Sequence, residues 1–256
     1  MTLIDAIGEL NPWLLAALLN TGLGLVGWKL VSKLLTPTGL VHAWILGVIV
    51  WGVLGWPGYG VVLFYFLAGS AVTKIGMAEK EAAGIAEKRS GARGPENVWG
   101  SAASSTLCAL ATLVVPLPYR PLLCLGYVSG FSTKLSDTTA SEIGKAYGNR
   151  TFLITTLRLV PRGTEGAVSL EGTVAGMLAS VVIALLAWAV GLIDWIGVVW
   201  CVIAAFIATN LESVIGATVQ SQFKWLTNEV VNGINTLIGS VAAMGMALAW
   251  AGLLVR

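Results

Sequence analysis

The sequence predicts an all-α, polytopic integral membrane protein with about eight transmembrane helices and its functional loops on the cytoplasmic face. Of its 256 residues, 56% are hydrophobic and only 11% are charged, whereas soluble domains average about 25% charged residues. Several apolar runs approach the roughly 20 residues that a helix needs to cross a bilayer. The eleven Trp fit the same class, because Trp concentrates at membrane interfaces.

The spans follow one another along the chain, separated by Pro-Gly and Pro-rich breaks and by two longer polar regions, 76–97 and 145–173. No stretch is long and polar enough for a separate soluble domain, so a single transmembrane domain is expected over residues 1–256. The fifth span is short enough to be partly re-entrant. The expected spans are residues 13–35, 39–56, 59–75, 98–115, 119–131, 174–193, 195–216 and 230–255.

The basic residues predict the orientation, because the cytoplasmic loops of membrane proteins are enriched in Lys and Arg. With the N-terminus outside, 13 of the 15 basic residues fall inside, and only Arg120 and Arg256 fall outside. An even number of crossings then places both termini outside. The inner residues are Lys29, Lys33, Lys74, Lys80, Lys88, Arg89, Arg93, Lys134, Lys145, Arg150, Arg158, Arg162 and Lys224.

Charge and composition exclude some functions. The net charge of +2 is too small to indicate nucleic-acid binding, and the only histidine is His42. General acid–base chemistry by histidine and a His-ligated metal are therefore not expected. Four polar segments fall on the predicted cytoplasmic side, at 76–97, 132–150, 158–173 and 209–232. Their convergence indicates a site for a water-soluble substrate beside the bilayer.

The first cluster contains Lys134, Asp137 and Glu142, directly after an apolar run. Ionisable groups at a membrane segment are costly, so they indicate a functional site. Oxygen-rich groups without thiolates suit Mg²⁺, which takes one or two carboxylates plus substrate phosphates. The alternative is a capping box from Thr139 to Glu142. Asp137 and Glu142 are about 140° apart on an ideal helix, so sharing one ion requires a helix break near Ser136.

The second cluster begins with Arg158 and Arg162 and continues into a Gly-Thr-Glu-Gly turn at residues 163–166, followed by Ser169. Glycine turns let backbone N–H groups converge on an anion, and arginine binds phosphate bidentately. The alternative is a basic membrane anchor followed by a turn.

The third cluster consists of Glu212, for which metal or substrate contact is expected, and an amide-rich helix face. Amide and hydroxyl groups inside a membrane also hold neighbouring helices together, and that alternative stays open. For the charged loop 76–97, a solvated loop and a phosphate-binding loop are both open. The residues of the amide-rich face are Asn228, Asn232, Asn235 and Thr236.

Two longer motifs contain these clusters. The first extends over residues 130–145 and the second over 161–176, and residues 88–97 and 228–232 add to the pattern. Together they cover much of the chain and resemble the TMEM19/DUF92 family of membrane proteins, most closely its cyanobacterial members. That family includes a phytyl-phosphate kinase of tocopherol and phylloquinone synthesis. For a cyanobacterial member of this family, the resemblance implies a location in the plasma membrane or the thylakoid membrane.

The resemblance implies a CTP-dependent kinase that converts phytyl or another isoprenyl monophosphate to the diphosphate at the cytoplasmic membrane edge. The residues agree with this reaction class, because phosphoryl transfer depends on positioning and charge neutralisation. The implied partners are the isoprenyl-phosphate lipid, the nucleoside triphosphate and membrane lipid, with no nucleic acid. Donors other than CTP stay open.

We assign expected roles on this basis. Asp137, Glu142 and Glu212 are the expected Mg²⁺ ligands. Lys134, Asp137, Arg158 and Arg162 are the expected catalytic residues, with the cations stabilising the transferred charge. The expected nucleotide-binding residues are Arg162, Gly163, Thr164, Glu165, Gly166, Ser169, Asn228 and Asn232.

Two other functions stay open. A more distant likeness extends to dolichol kinases and CDP-diacylglycerol synthases, and the latter would make the chain a cytidylyltransferase. Gly163 stands where those relatives usually have lysine, which argues against that activity. An ion-coupled transporter is the second alternative. It would place polar groups near the bilayer midplane on broken helices, whereas the polar clusters here fall at one membrane edge.

Overall fold

The computed structural model describes residues 11–254. In this range the chain is mainly helical, with nine α-helices and one two-stranded antiparallel sheet, which agrees with the predicted helical membrane fold. The elements are α1 (Pro12–Val26), α2 (Trp28–Leu34), α3 (Pro37–Lys74), α4 (Met77–Ala82), α5 (Pro95–Ala111), α6 (Arg120–Tyr147), β1 (Thr151–Leu153), β2 (Ala167–Ser169), α7 (Leu170–Ala189), α8 (Trp195–Thr218) and α9 (Asn228–Leu254).

The number of membrane-crossing helices differs from the prediction. Within the described range four helices, α3, α7, α8 and α9, are long and apolar enough to cross a membrane. The pair α1 and α2, bent by 91° between Val26 and Trp28, makes a fifth if it counts as one span. The prediction of eight spans is therefore wrong, and the structure supports four or five.

One difference from the prediction lies in α3, a 38-residue element that includes both the expected second and third spans. The element is broken at Gly55, which adopts φ 64° and ψ −159°, a region that favours glycine. Both of its ends contact Arg93: a Cβ at Gly39 would clash with the Arg93 oxygen, and a Cβ at Gly69 would lie 2.7 Å from Arg93 Nη2. On a straight helix these two glycines would be about 45 Å apart. The two halves of α3 therefore fold back on each other at the break, next to the Pro57-Gly58 pair that predicted the end of the second span.

The other difference lies in α5 and α6. Helix α5 has only 17 residues, one turn or more short of a comfortable crossing. Helix α6 has 28 residues, but its C-terminal half carries charged and hydroxyl side chains. The predicted outside location of the termini concerns residues 1–10 and 255–256, which lie outside the described range, and the orientation stays a prediction.

Helix α6 occupies the centre of the fold. It packs against α3, α5, α7, α8 and α9, and its residues from Leu125 to Asp137 are all buried. Close approach depends on small residues: a Cβ at Gly172 of α7 would clash with the backbone oxygen of Ala140. Hydroxyl side chains add hydrogen bonds between helices. For example, Ser129 Oγ of α6 donates to the backbone oxygen of Gly239 of α9 at 2.8 Å. Small and hydroxyl residues at helix contacts are typical of membrane bundles.

Candidate functional site

A polar cavity of about 920 Å³ opens beside the C-terminal half of α6. Its walls come from α3, α5, α6, α7, α8, α9, the loop between α4 and α5, and the β1–β2 hairpin. Five cationic residues and seven carboxylates line it, so it offers partners for both anions and cations. These are Lys88, Arg89, Arg93, Lys134 and Lys145, together with Glu87, Glu96, Asp137, Glu142, Glu165, Glu212 and Glu229.

The cavity brings together most of the residues predicted from the sequence. Of the thirteen expected site residues, all line the cavity except Arg158 and Arg162. Segments that are far apart in the sequence meet there: Lys134 and Asn232, which are 98 residues apart, are hydrogen-bonded. The lining residues from the predicted set are Lys134, Asp137, Glu142, Gly163, Thr164, Glu165, Gly166, Ser169, Glu212, Asn228 and Asn232.

The two predicted arginines lie elsewhere. Arg158 is exposed in the loop between β1 and β2. Arg162 donates from Nη1 to the backbone oxygens of Ala146, at 3.0 Å, and Lys145, at 3.4 Å. These carbonyls end α6, and a basic side chain commonly satisfies such groups. Sequence proximity to the glycine turn therefore did not place either guanidinium at the cavity wall.

Lys134 and Asp137 form a buried ion pair on one turn of α6. Lys134 Nζ lies 2.6 Å from Asp137 Oδ2, and both side chains are less than 10% exposed. Lys134 Nζ also donates to Asn232 Oδ1 of α9 at 2.9 Å. An ammonium has three donors, so one remains for a bound group. The arrangement holds a cation and a carboxylate side by side at the inner wall.

Glu142 belongs to a second buried pair. It binds Lys80 of α4, and both side chains are almost completely buried. Lys80 Nζ also donates to the Thr73 oxygen at 2.9 Å, and Lys145 Nζ lies 3.8 Å from Glu142 Oε1. Two lysines thus compensate the charge of this carboxylate. The structural partner for Glu142 was missed, because nothing in local spacing points to a lysine 62 residues earlier.

The structure decides two expectations about this helix. The predicted alternative, a capping box from Thr139 to Glu142, is wrong, because both residues lie well inside α6, which begins at Arg120. No break occurs near Ser136 either, since α6 continues unbroken to Tyr147. On this continuous helix, Asp137 and Glu142 bind different lysines, in line with their angular separation.

The predicted metal ligands fit Mg²⁺ only in part. In residues 11–254, no three His, Cys, Asp or Glu side chains are placed together so as to hold a metal ion. Glu142 is engaged by lysines, whereas Glu212 of α8 lies within electrostatic range of Asp137 and Lys134. Asp137 and Glu212 fit the one or two carboxylates that Mg²⁺ uses alongside substrate phosphates. Glu142 does not fit this role.

The loop before α5 is fastened to α6 by Lys145. Its Nζ lies 3.3 Å from Glu87 Oε1. Burial raises the pKa of Glu87, but the Lys145 ammonium and its hydrogen bond outweigh burial and hold the pKa below its ordinary value. Glu87 therefore stays ionised at neutral pH and keeps its ion pair with Lys145.

The glycine turn reaches the cavity from the hairpin. Gly163 and Gly166 have φ values of 82° and 73°, and a Cβ at Gly166 would lie 2.5 Å from the Ser213 oxygen of α8. Thr164 Oγ1 donates to the Pro161 oxygen at 2.7 Å. Ser169 Oγ accepts from Gly172 N at 3.1 Å and caps α7. Both hydroxyls thus have structural partners, and glycine permits the close approach to α8.

The amide-rich face of α9 divides between two environments. Asn228 and Asn232 line the cavity. Deeper in the bundle, Asn235 and Thr236 are fully buried, and Thr236 Oγ1 accepts from Ser104 Oγ of α5 at 2.8 Å. The functional interpretation and the helix-contact interpretation therefore apply to different ends of the same face.

Sequence reasoning assigned no site role to several residues that line the cavity. Arg93 and Arg89 come from the charged loop, and Arg89 Nη2 lies 2.6 Å from Glu96 Oε1 and 2.7 Å from Asn97 Oδ1. The alternation of basic residues and glycine over residues 88–94 was the available signal. It allowed a phosphate-binding loop but did not distinguish it from a solvated one.

Comparisons with known proteins agree with the membrane fold. The family model described as integral membrane protein DUF92 matches residues 20–240. A membrane protein of Synechocystis sp. is 64% identical over 92% of this chain and 91% of its own length. The Arabidopsis thaliana protein VTE6, chloroplastic, is 46% identical over 91% of this chain and 72% of its own. A Methanocaldococcus jannaschii membrane protein is 31% identical over 82% and 84%. No solved structure matches significantly.

Proposed function

Because the chain belongs to the DUF92 family of integral membrane proteins, we propose that it is a membrane-embedded kinase converting phytyl phosphate, or another isoprenyl monophosphate, to the diphosphate. The observation that carries the proposal is the polar cavity, in which cationic and acidic side chains from six segments meet beside membrane-crossing helices. The likeness of residues 130–145 and 161–176 to a family with a phytyl-phosphate kinase supports the choice of acceptor. CTP is the proposed donor.

In the proposed reaction, an oxygen of the acceptor phosphate forms a bond to the γ-phosphorus of the nucleotide. The bond from that phosphorus to the β–γ bridging oxygen breaks, and the nucleoside diphosphate leaves with the electron pair. The acceptor is already an anion, so no strong general base is needed. A chain whose only histidine, His42, bonds Trp99 outside the cavity suits such a reaction.

The residues of the inner wall take roles that follow from their contacts. Lys134 has a free donor and lies against the carboxylate of Asp137, so it is suited to hold an oxygen of the transferred phosphoryl group. Asp137 and Glu212 are the proposed Mg²⁺ ligands, and the ion would supply charge neutralisation on the nucleotide phosphates. Asn232 fixes the position of Lys134 through its 2.9 Å hydrogen bond.

The nucleotide is proposed to lie against the glycine turn. Gly163 and Gly166 line the cavity and have φ values in the left-handed region, and Asn228 lies on the neighbouring wall from α9. Backbone N–H groups in such left-handed turns are suited to anions. Thr164 and Ser169 contribute mainly to the shape of the turn, because their hydroxyls are already bonded.

The test is product analysis with purified protein. Phytyl phosphate and geranylgeranyl phosphate are each supplied with CTP, ATP, GTP or UTP in the presence of Mg²⁺. We expect the isoprenyl diphosphate and the nucleoside diphosphate in equal amounts. Release of pyrophosphate with a CMP-linked lipid would instead establish the cytidylyltransferase alternative. Solute uptake into liposomes without nucleotide turnover would establish a transporter.

Arg158→Ala is expected to keep turnover within about twofold of wild type, because its side chain is exposed and does not line the cavity; surface changes of this kind are usually close to neutral. The measurement is kcat and KM for both substrates. A loss of 100-fold or more would return Arg158 to the catalytic role expected from the sequence, and would require the β1–β2 loop to fold over the cavity during turnover.

A further inference from the structure

Arg93 is an arginine whose charge is held at the cavity wall without a carboxylate partner among the residues that the structure describes. The other arginine of the cavity wall, Arg89, is paired with Glu96. Of the five N–H donors of a guanidinium, one is used by the Arg93 side chain, from Nη1 to Tyr65 Oη at 3.1 Å. A half-buried guanidinium with unused donors is suited to bind an anion.

The surrounding structure fixes this guanidinium. Its central carbon lies 5.2 Å from the centre of the Tyr65 ring and 5.7 Å from that of Phe66, distances at which aromatic rings attract a cation. Tyr65 is itself buried against Phe131 of α6, with ring centres 5.2 Å apart. The aromatic support orients Arg93 without neutralising its charge.

The backbone around Arg93 is equally constrained. Arg93 N donates to the Leu34 oxygen at 2.9 Å, and Thr36 N donates to the Arg93 oxygen at 3.0 Å. Two glycines of α3 leave room: a Cβ at Gly69 would lie 2.7 Å from Arg93 Nη2, and one at Gly39 would clash with the Arg93 oxygen. The junction of α2, α3 and α5 thus places one side chain at a defined point of the cavity.

We propose that Arg93 binds a phosphate group in this cavity, as a bidentate partner separate from Lys134 and from the glycine turn. The inference rests on the proposed function for the identity of the phosphate, which belongs either to the isoprenyl acceptor or to the nucleotide. The chemistry is shared by both: a planar fork of N–H donors matches two phosphate oxygens, a match that lysine does not reproduce.

The first experiment measures binding without turnover. Thermal stabilisation of the purified protein by pyrophosphate, phytyl phosphate and CTP, each alone, gives apparent affinities for wild type, Arg93→Lys and Arg93→Gln. We expect Arg93→Gln to weaken binding of one of these ligands by about 10- to 100-fold, and Arg93→Lys to recover only part of it. Loss for phytyl phosphate assigns the acceptor, and loss for CTP assigns the donor.

Two further variants keep the test decisive if Arg93→Gln folds poorly. Tyr65→Phe retains the ring and removes the hydroxyl that orients the guanidinium, and we expect a loss of affinity of about 3- to 10-fold for the same ligand. Arg120→Gln, at the opposite and exposed end of α6, is the matched control and should bind as wild type does.

The outcomes separate this inference from the proposed function. If Arg93→Gln is less stable but binds all three ligands as wild type does, Arg93 serves only the helix junction and the inference is overturned. If phosphate binding depends on Arg93 while no diphosphate product forms with any nucleotide, the inference stands and the kinase proposal fails.

Discussion

Asp137→Asn is expected to lower turnover of phytyl phosphate by about 10²- to 10³-fold, the range for losing one electrostatic contact to a transition state. The change preserves the size of the side chain but removes the charge that lies 2.6 Å from Lys134 Nζ. It also removes one of the two carboxylates, with Glu212, that fit a Mg²⁺ ion. The measurement is kcat at saturating substrates over a Mg²⁺ titration. The Tm of the purified protein in detergent checks that the variant is folded.

The Mg²⁺ titration distinguishes the two roles of Asp137. A raised half-saturating Mg²⁺ concentration identifies a metal ligand, whereas a lower kcat with unchanged Mg²⁺ dependence identifies a residue that acts by positioning Lys134. The matched control is Glu171→Gln, an acid-to-amide change at a residue outside the cavity, which should leave both values unchanged. Full activity of a folded Asp137→Asn protein would contradict either role.

Lys80→Met is expected to destabilise the protein by about 3–5 kcal/mol, the cost of leaving one member of a buried ion pair uncompensated. Lys80 and Glu142 are only 1% and 2% exposed, and the other cation near Glu142, Lys145, is 3.8 Å away and shared with Glu87. The measurement is the free energy of unfolding, or Tm in a fixed detergent.

The double variant Lys80→Met/Glu142→Leu tests the cause, because it removes both buried charges and should recover most of the lost stability. Arg89→Met provides the comparison with an exposed pair: Arg89 and Glu96 are 45% and 44% exposed, and such pairs contribute about 1 kcal/mol or less. Equal losses for Lys80→Met and Arg89→Met would mean that burial does not set the strength of the Lys80–Glu142 pair.

The composition and the apolar runs predicted the helical membrane fold, but not how many helices cross. The segment α3 shows what a local pattern can predict. Pro57-Gly58 is a common helix end, and the backbone is irregular two residues before Pro57, at Gly55. The chain folds back there, because Gly39 and Gly69 both lie against Arg93. A local pattern therefore located the break, but it did not contain the contacts that decide which helices cross the membrane.

The candidate site was predictable where its residues lie on short, dense motifs. Lys134, Asp137 and the glycine turn at 163–166 were identified from polar residues next to apolar runs. Arg162 was misplaced because its partners are the carbonyls that end α6, a contact decided by how the hairpin folds back. Lys80 was missed because its partner Glu142 is 62 residues away, and the spacing of charges within either segment does not indicate such a pair.

The buried charges of α6 also bear on how the chain enters the membrane. An isolated helix carrying Lys134 and Asp137 at its centre would partition poorly, at about 2.5–3.5 kcal/mol for each charge. Lys134 is completed by Asn232, synthesised 98 residues later, and Glu142 by Lys80, synthesised 62 residues earlier. The polar side chains of α6 are therefore fully partnered only after α4 and α9 have packed against it, so the folding of α6 depends on helices that precede and follow it in the chain.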